Sequence, residues 1–277
     1  MTDRYAVIGN PISHSKSPLI HSSFASATCQ DLAYTTVEGP LDGFEAAVRA
    51  FRDGGGRGMN VTAPFKLQAF AMADSLTERA RQAGAVNALK FEAGRILADN
   101  FDGLGLVRDI TQNLGAPLRG KRLLLLGAGG AARGALLPLL DQQPAELVVA
   151  NRNPERAAEL VAEMVAELGS PAGLRGGGFA EIGTAQFDVI VNATSASLKG
   201  ELPPLPAAAF APGALAYEMV YGKGLTPFLR LAQNAGVARL ADGVGMLVEQ
   251  AAEAFAWWRG VRPATREVID QLTIPLK

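Results

Sequence analysis

Three groups of residues in this chain of 277 could do chemistry on a small molecule. The first is a lysine. In NVTAPFK, residues 60–66, a strand-like run stops at Pro64, which suits a first helical position, and Lys66 falls in the first turn that follows. The positive end of a helix dipole disfavours a cation there. Lys66 is therefore either an ordinary solvated lysine or one whose charge is used. The second group is Ser13, Ser15 and Ser17 in NPISHSKSP, after one strand and before one helix. Ser17 before Pro18 fits an N-cap. Hydroxyls gathered at a helix start would equally hold a small carboxylate, and the residues alone leave both readings open.

The third group is the strongest local signal. KRLLLLGAGGAARGALLPLL runs a short apolar strand into Gly127, Gly129 and Ala132, and then into a helix. That is the GxGxxA form of the dinucleotide fingerprint: Gly127 for a tight turn, Gly129 for close approach to a pyrophosphate, Ala132 for strand–helix packing. The free N–H groups at the helix start would receive phosphate oxygens. Where an NAD site carries Asp or Glu about twenty residues on, this chain reads ELVVANRNPERA, with Asn151, Arg152 and Arg156 at that point. Asn153 and Pro154 fit an N-cap and a first helical residue. Capping leaves both arginines unexplained, whereas a 2′-phosphate is clamped by them through charge-assisted hydrogen bonds. NADP is the expected cofactor. The glycine runs DGGGRG, 53–58, and RGGGF, 175–179, read instead as flexible loops.

The elements that must position these groups alternate along the chain. Strand-like RYAVIG, AYTTVE and GMNVT are each followed by helix-like SPLIHSSFASA, FEAAVRAFRDG and KLQAFAMAD, and a second αβ series begins at KRLLLL. This predicts parallel α/β layers. The final stretches GMLVEQAAEAFAWWRG and PATREVIDQL are helical with no strand after them. We expect two domains: residues 1–102 with 242–277, and a Rossmann-type doubly wound unit, 103–241, inserted between them. Trp257 and Trp258 would anchor the terminal helix at the domain junction.

A formal net charge of −1 gives no reason to expect nucleic acid or an anionic membrane as partner. The longest charge-free apolar stretch, Leu202 to Tyr217, holds four prolines, which argues against a membrane span. One cysteine, Cys29, expected as a buried or semi-buried filler, and two histidines, His14 and His21, give neither a disulfide framework nor a zinc site. A cytoplasmic setting fits.

Taken together the motifs resemble the shikimate dehydrogenase family. NPISHSKSP (10–18), NVTAPFK (60–66), GAVNAL (84–89), DNFDGLG (99–105), GAGGAAR (127–133), NRNPER (151–156), NATS (192–195), YEMVY (217–221), KGLTPFL (223–229) and DGVGMLVEQA (242–251) occur in the family's order over almost the whole chain. The resemblance implies an N-terminal α/β substrate domain completed by C-terminal helices and an NADP-binding domain. The implied reaction is NADPH-dependent reduction of 3-dehydroshikimate to shikimate, on the way to chorismate and the aromatic amino acids. By motif, Lys66 and Asp102 would be the catalytic pair. Ser15 and Ser17 would bind the substrate carboxylate, and Thr62, Asn87, Tyr221 and Gln250 would line the ring site. Gly127, Ala128, Gly129, Gly130, Ala131, Asn151, Arg152, Asn153, Arg156, Met219 and Gly243 would contact the cofactor, with Glu78 near it. The chemistry agrees: hydride transfer to a ketone develops an alkoxide, which needs a proton donor within hydrogen-bond reach. No metal is expected, and a monomer or homodimer is. The alternative is a quinate/shikimate or shikimate-like dehydrogenase with broader substrate or NAD use. Phe101 stands where the family usually has threonine, and Ser197 where it usually has glycine.

Overall fold

The computed structural model describes residues 2–169, 171 and 173–276. By their internal contacts these form two compact units, residues 1–105 with 247–271 and residues 106–246 with 272–277.

The first unit holds strands β1 (Asp3–Gly9), β2 (Leu32–Glu38), β3 (Gly56–Val61), β4 (Ser75–Leu76), β5 (Ala88–Glu92) and β6 (Arg95–Asp99). They form one sheet in the order β2-β1-β3-β5-β6-β4. β1 pairs in parallel with both β2 and β3, whereas β5 runs antiparallel to β3 and to β6. The purely parallel arrangement suggested by the alternation stops at that hairpin. Only Ala93 and Gly94 join β5 to β6, both with positive φ (50° and 77°), and a two-residue turn of that kind can only return the chain antiparallel. Helices α1 (Ser17–Ala27), α2 (Phe44–Asp53), α3 (Lys66–Met72) and α4 (Glu78–Ala83) connect these strands, and α5 (Asp102–Arg108) leads out of the sheet.

The second unit adds β7 (Arg122–Leu126), β8 (Glu146–Asn151), β9 (Leu174–Gly178), β10 (Phe187–Asn192), β11 (Phe210–Glu218) and β12 (Arg239–Asp242). All neighbours pair in parallel, in the order β12-β11-β10-β7-β8-β9. Read from β9 this is 3-2-1-4-5-6, the doubly wound dinucleotide order with its switch point between β7 and β10. Helices α6 (Gly130–Leu140), α7 (Pro154–Leu168) and α8 (Pro227–Asn234) supply crossovers, and α9 (Val244–Arg259) and α10 (Arg266–Leu272) end the chain. The leucine run explains itself here. Leu123 and Leu125 face one apolar layer and Leu124 and Leu126 the other, so the strand is buried on both faces and cannot alternate polar with apolar.

Several local expectations are corrected. Helix α3 starts at Lys66, and Pro64 sits in the turn before it, so Lys66 itself is the first helical residue. The glycine runs are largely strand. Gly176, Gly177 and Gly178 belong to β9, and a Cβ at Gly176 would lie 2.4 Å from the Ala157 carbonyl oxygen of α7. Gly56 and Gly58 belong to β3, where a Cβ at Gly58 would lie 2.6 Å from the Trp258 indole nitrogen. In both places a missing side chain admits a neighbouring element. Cys29 is exposed, since it follows the end of α1 in the left-handed region (φ 53°). Trp258 stacks on Tyr5 at 4.7 Å and its indole N–H donates to Leu89 O at 3.0 Å, so the contacts of this anchor lie inside the first unit. No described helix is long and apolar enough to cross a membrane.

Candidate active site

In the first unit, four chain segments deliver one hydrogen-bonded cluster. Lys66 Nζ donates to Asp102 Oδ2 at 2.6 Å. Asn87 Nδ2 donates to Asp102 Oδ1 at 2.8 Å and to Gln250 Oε1 at 3.2 Å. Asn87 Oδ1 is occupied as well, accepting the Phe101 N–H at 2.9 Å. Its amide group is thereby fixed in one orientation, because swapping N and O would break all three bonds. Local structure explains each placement. Lys66 opens α3 and its carbonyl accepts the Val86 N–H at 3.0 Å, which ties α3 to the segment bearing Asn87. Asp102 opens α5, with its own N–H held by Asn100 Oδ1 at 3.0 Å. Gln250 is buried on α9. Side chains at the pair are partly open, 35% for Lys66 and 17% for Asp102, so a ligand can reach the ammonium group.

Ser15 and Ser17 do not follow the simple capping scheme. Lys16 takes the N-cap position without a side-chain bond, and Ser17 is the first helical residue. The Ser17 N–H donates to Ser15 Oγ at 3.3 Å, which brings the two residues together at the start of α1. Thr62 follows β3, and its N–H pairs with Ile8 O at 3.0 Å. Behind this region Tyr34 OH donates to Asn60 Oδ1 at 2.6 Å, and Asn60 Nδ2 reaches Asn87 O at 3.3 Å. Sequence reading gave no signal for this buried support, since Tyr34 and Asn60 look like ordinary strand residues. Glu78 is engaged within its own helix, accepting from Arg81 at 2.9 Å and Gln82 at 3.2 Å.

The departure at Phe101 is absorbed by packing. Its buried ring meets Trp257 edge-on at 5.7 Å and lies under the Arg79 guanidinium at 5.3 Å. Only its backbone serves the cluster.

In the second unit the glycine turn sits at the switch point. Gly127 has φ +109°, a conformation that favours glycine, and a Cβ there would press on the Ala193 backbone after β10 at 3.3 Å. Gly129 caps α6 and Gly130 opens it, and a Cβ on either would meet nothing within 4 Å. Ala132 is fully buried against the sheet. Above the first turn of α6 there is thus open space at a helix N-terminus, as a pyrophosphate requires. Ala128 lies in the turn, and Ala131 is the second residue of α6. Asn153 caps α7, its Oδ1 accepting the Arg156 N–H at 3.2 Å, and Asn151 Nδ2 donates to Asn153 O at 2.9 Å. Arg152 and Arg156 open onto a cavity of about 410 Å³, whose other side holds Thr194, Ser195 and Lys199. No carboxylate stands on the end of β8, so the residues present fit a 2′-phosphate better than a bare ribose. Met219 and Gly243 are brought together: a Cβ at Gly243 would lie 2.2 Å from Met219 O. Tyr221 is exposed nearby in sequence, on the loop after β11.

A six-stranded parallel sheet in this order, with a glycine turn opening α6 at its switch point, defines a doubly wound dinucleotide-binding protein. Comparison with known proteins narrows it. Residues 7–89 match the model of the shikimate dehydrogenase substrate-binding domain, 109–199 that of shikimate/quinate 5-dehydrogenase, and 243–273 that of the shikimate 5′-dehydrogenase C-terminal domain. The shikimate dehydrogenase (NADP(+)) of Nitrosospira multiformis is 56% identical over 98% of both chains. A crystal structure of an Ael1 enzyme from Pseudomonas putida is 64% identical over the whole of both chains, with a TM-score of 0.95. The shikimate 5-dehydrogenase of Thermus thermophilus, solved in complex with NADP(H) and shikimate, is 31% identical over 98% of this chain and 100% of its own, with a TM-score of 0.85. The chain belongs to the shikimate dehydrogenase family.

Proposed function

We propose that this protein catalyses the reversible NADPH-dependent reduction of 3-dehydroshikimate to shikimate, in the pathway to chorismate and the aromatic amino acids. The observation that carries the reading is the Lys66–Asp102–Asn87–Gln250 cluster, built on the unit that matches the substrate-binding family model. When bound, NADPH supplies the hydride. The chain's own residues then manage the oxygen and its proton. As the carbonyl carbon is reduced, the C=O electron pair moves onto oxygen, and the Lys66 ammonium group donates a proton to it. In the reverse direction the neutral amine takes that proton back from the hydroxyl. Asp102 aims the amine through Oδ2 and, with Asn87 and Gln250, offers acceptors and donors to the ring hydroxyls. Ser15 and Ser17 hold the carboxylate, and Thr62 lines the ring site.

On the cofactor side, residues 127–131 receive the pyrophosphate, and residues 151–156 receive the 2′-phosphate through Arg152 and Arg156. Met219 and Gly243 belong to the same proposal, as do the roles that the resemblance gives Tyr221 and Glu78. The setting is cytoplasmic, and the working form is a monomer or homodimer, which light scattering on the eluted protein reads.

One assay tests the reading: nicotinamide absorbance change with shikimate and with quinate, each with NADP and with NAD. Turnover greatest with shikimate and NADP supports it. Faster turnover with quinate or NAD moves the protein to a broader dehydrogenase, and no turnover in any combination removes the catalytic reading.

A further inference from the structure

The cavity beside Arg152 and Arg156 has a second wall that the fingerprint does not include. It is the turn after β10, from which Thr194, Ser195 and Lys199 face the same space. This turn is anchored at two points to one buried carboxylate. Glu218, at the end of β11 and fully buried, accepts from Asn192 Nδ2 at 3.2 and 3.1 Å, from Thr226 Oγ1 at 3.0 Å and from the Val220 N–H at 3.4 Å. Asn192 Oδ1 in turn accepts from the Thr194 hydroxyl at 2.7 Å and the Thr194 N–H at 3.1 Å, which fixes the start of the turn. Ser197 Oγ, two residues before Lys199, closes on Glu218 Oε2 and fixes the turn there. Burial pushes the Glu218 carboxyl upward, and these donors pull it back. A glycine at position 197 has no hydroxyl to make that bond, so the residue that departs from the family pattern is the one that pins the turn.

The charges on the cavity wall give the turn a purpose. They are Arg152, Arg156, Lys199 and Glu201. Glu201 already lies 3.3 Å from Arg152, so an incoming dianion competes with it for that guanidinium. A third cation offsets the competition. We propose that Lys199 is this third cation of the 2′-phosphate site and that Ser197, held by Glu218, is the positioning residue that sets the turn carrying it. The inference rests on the NADP reading.

Its test is calorimetric binding of adenosine 2′,5′-bisphosphate and of 5′-AMP to the full-length protein, so that the readout is independent of turnover. The unaltered protein should prefer the bisphosphate. Lys199→Gln should weaken bisphosphate binding about five-fold, the size of an exposed charge pair, and move AMP less than two-fold. Ser197→Gly should reduce the same preference in the same direction, and Ser197→Thr should restore it. If Lys199→Gln leaves the bisphosphate-to-AMP ratio unchanged, Lys199 is not part of the site. If Ser197→Gly lowers the urea midpoint but not the ratio, Ser197 is merely structural and its positioning role falls. If the unaltered protein shows no preference, the NADP reading itself fails, an outcome distinct from the other two.

Discussion

Lys66 Nζ lies 2.6 Å from Asp102 Oδ2, and the other carboxylate oxygen of Asp102 is held by Asn87 Nδ2 at 2.8 Å. A carboxylate gripped at both oxygens cannot swing, so it directs the ammonium group rather than following it. Lys66→Ala should therefore cost about 10² to 10⁴ in turnover, the range of an acid–base contribution, while the KM for shikimate changes far less. Steady-state kinetics at saturating NADP decide this, and near-full turnover of the variant would sink the assignment.

Replacing Arg152 and Arg156 by glutamine removes two guanidinium groups from the cavity wall without altering the Asn153 cap. At the low end for a hydrogen bond to a charged group, each loss is about ten-fold, so the double variant should lose about 10² in kcat/KM with NADP. The same ratio measured with NAD should change only a few-fold. Equal losses with both dinucleotides would place the arginines outside the 2′-phosphate site.

Asn87 serves three partners, Asp102, Gln250 and the Phe101 N–H, and is itself buried. Asn87→Ala leaves the buried N–H unpaired and frees one side of the carboxylate. A stability loss of about 1–3 kcal/mol is expected, together with a fall in turnover. Urea unfolding and kinetics on the same preparation give both numbers. A variant as stable and as active as the parent contradicts the cluster's role.

His21 supplies the pH dependence. Its ring is 1% exposed and stacks on Tyr34 at 4.1 Å, and among the described residues neither nitrogen has a partner in hydrogen-bond geometry. Burial pushes the imidazole down to about 3, and the neighbouring Asn60 side chain offsets little of it. The unfolded chain binds a proton at this residue below about pH 6.5, whereas the folded chain refuses it down to about 3. Stability present above that upper value is lost as pH falls through the window, by about 1.4 kcal/mol per unit. His21→Phe keeps a ring on Tyr34 and removes the titration. Its urea midpoint should fall less steeply between pH 6 and 4, and an unchanged slope would show that His21 does not set it.

Gly176 tests the corrected reading of the RGGG run. With the Ala157 carbonyl 2.4 Å from where a Cβ would sit, Gly176→Val must push α7 off the edge of the sheet. A cost of about 1–3 kcal/mol or more is expected, against little change for an exposed glycine in a flexible loop. Thermal unfolding separates the two.

The α/β class, the glycine turn and the Asn153 cap were readable because each depends on neighbours close in sequence. Apolar runs, glycine spacing and an Asn-x-x-Arg start are local signals. The lysine of NVTAPFK was only an oddity at a helix start, and the serines could have been simple caps. The rest of the lysine's cluster, Asn87, Asp102 and Gln250, lies on three other segments, 21, 36 and 184 residues further on. Nothing local specifies such distances. The glycine runs are ambiguous for the same reason: whether a glycine gives a loop room to move or gives a helix room to approach is decided by Ala157 and Trp258. By itself the sequence determined which residues could bind phosphate and move a proton. The motifs already paired Lys66 with Asp102, but only the tertiary structure decided that this carboxylate is held at both oxygens and that Phe101 is core. It also decided that Ser197 is tied to Glu218, because hydrogen bonds and close contacts between distant segments exist only after the sheets have brought them together.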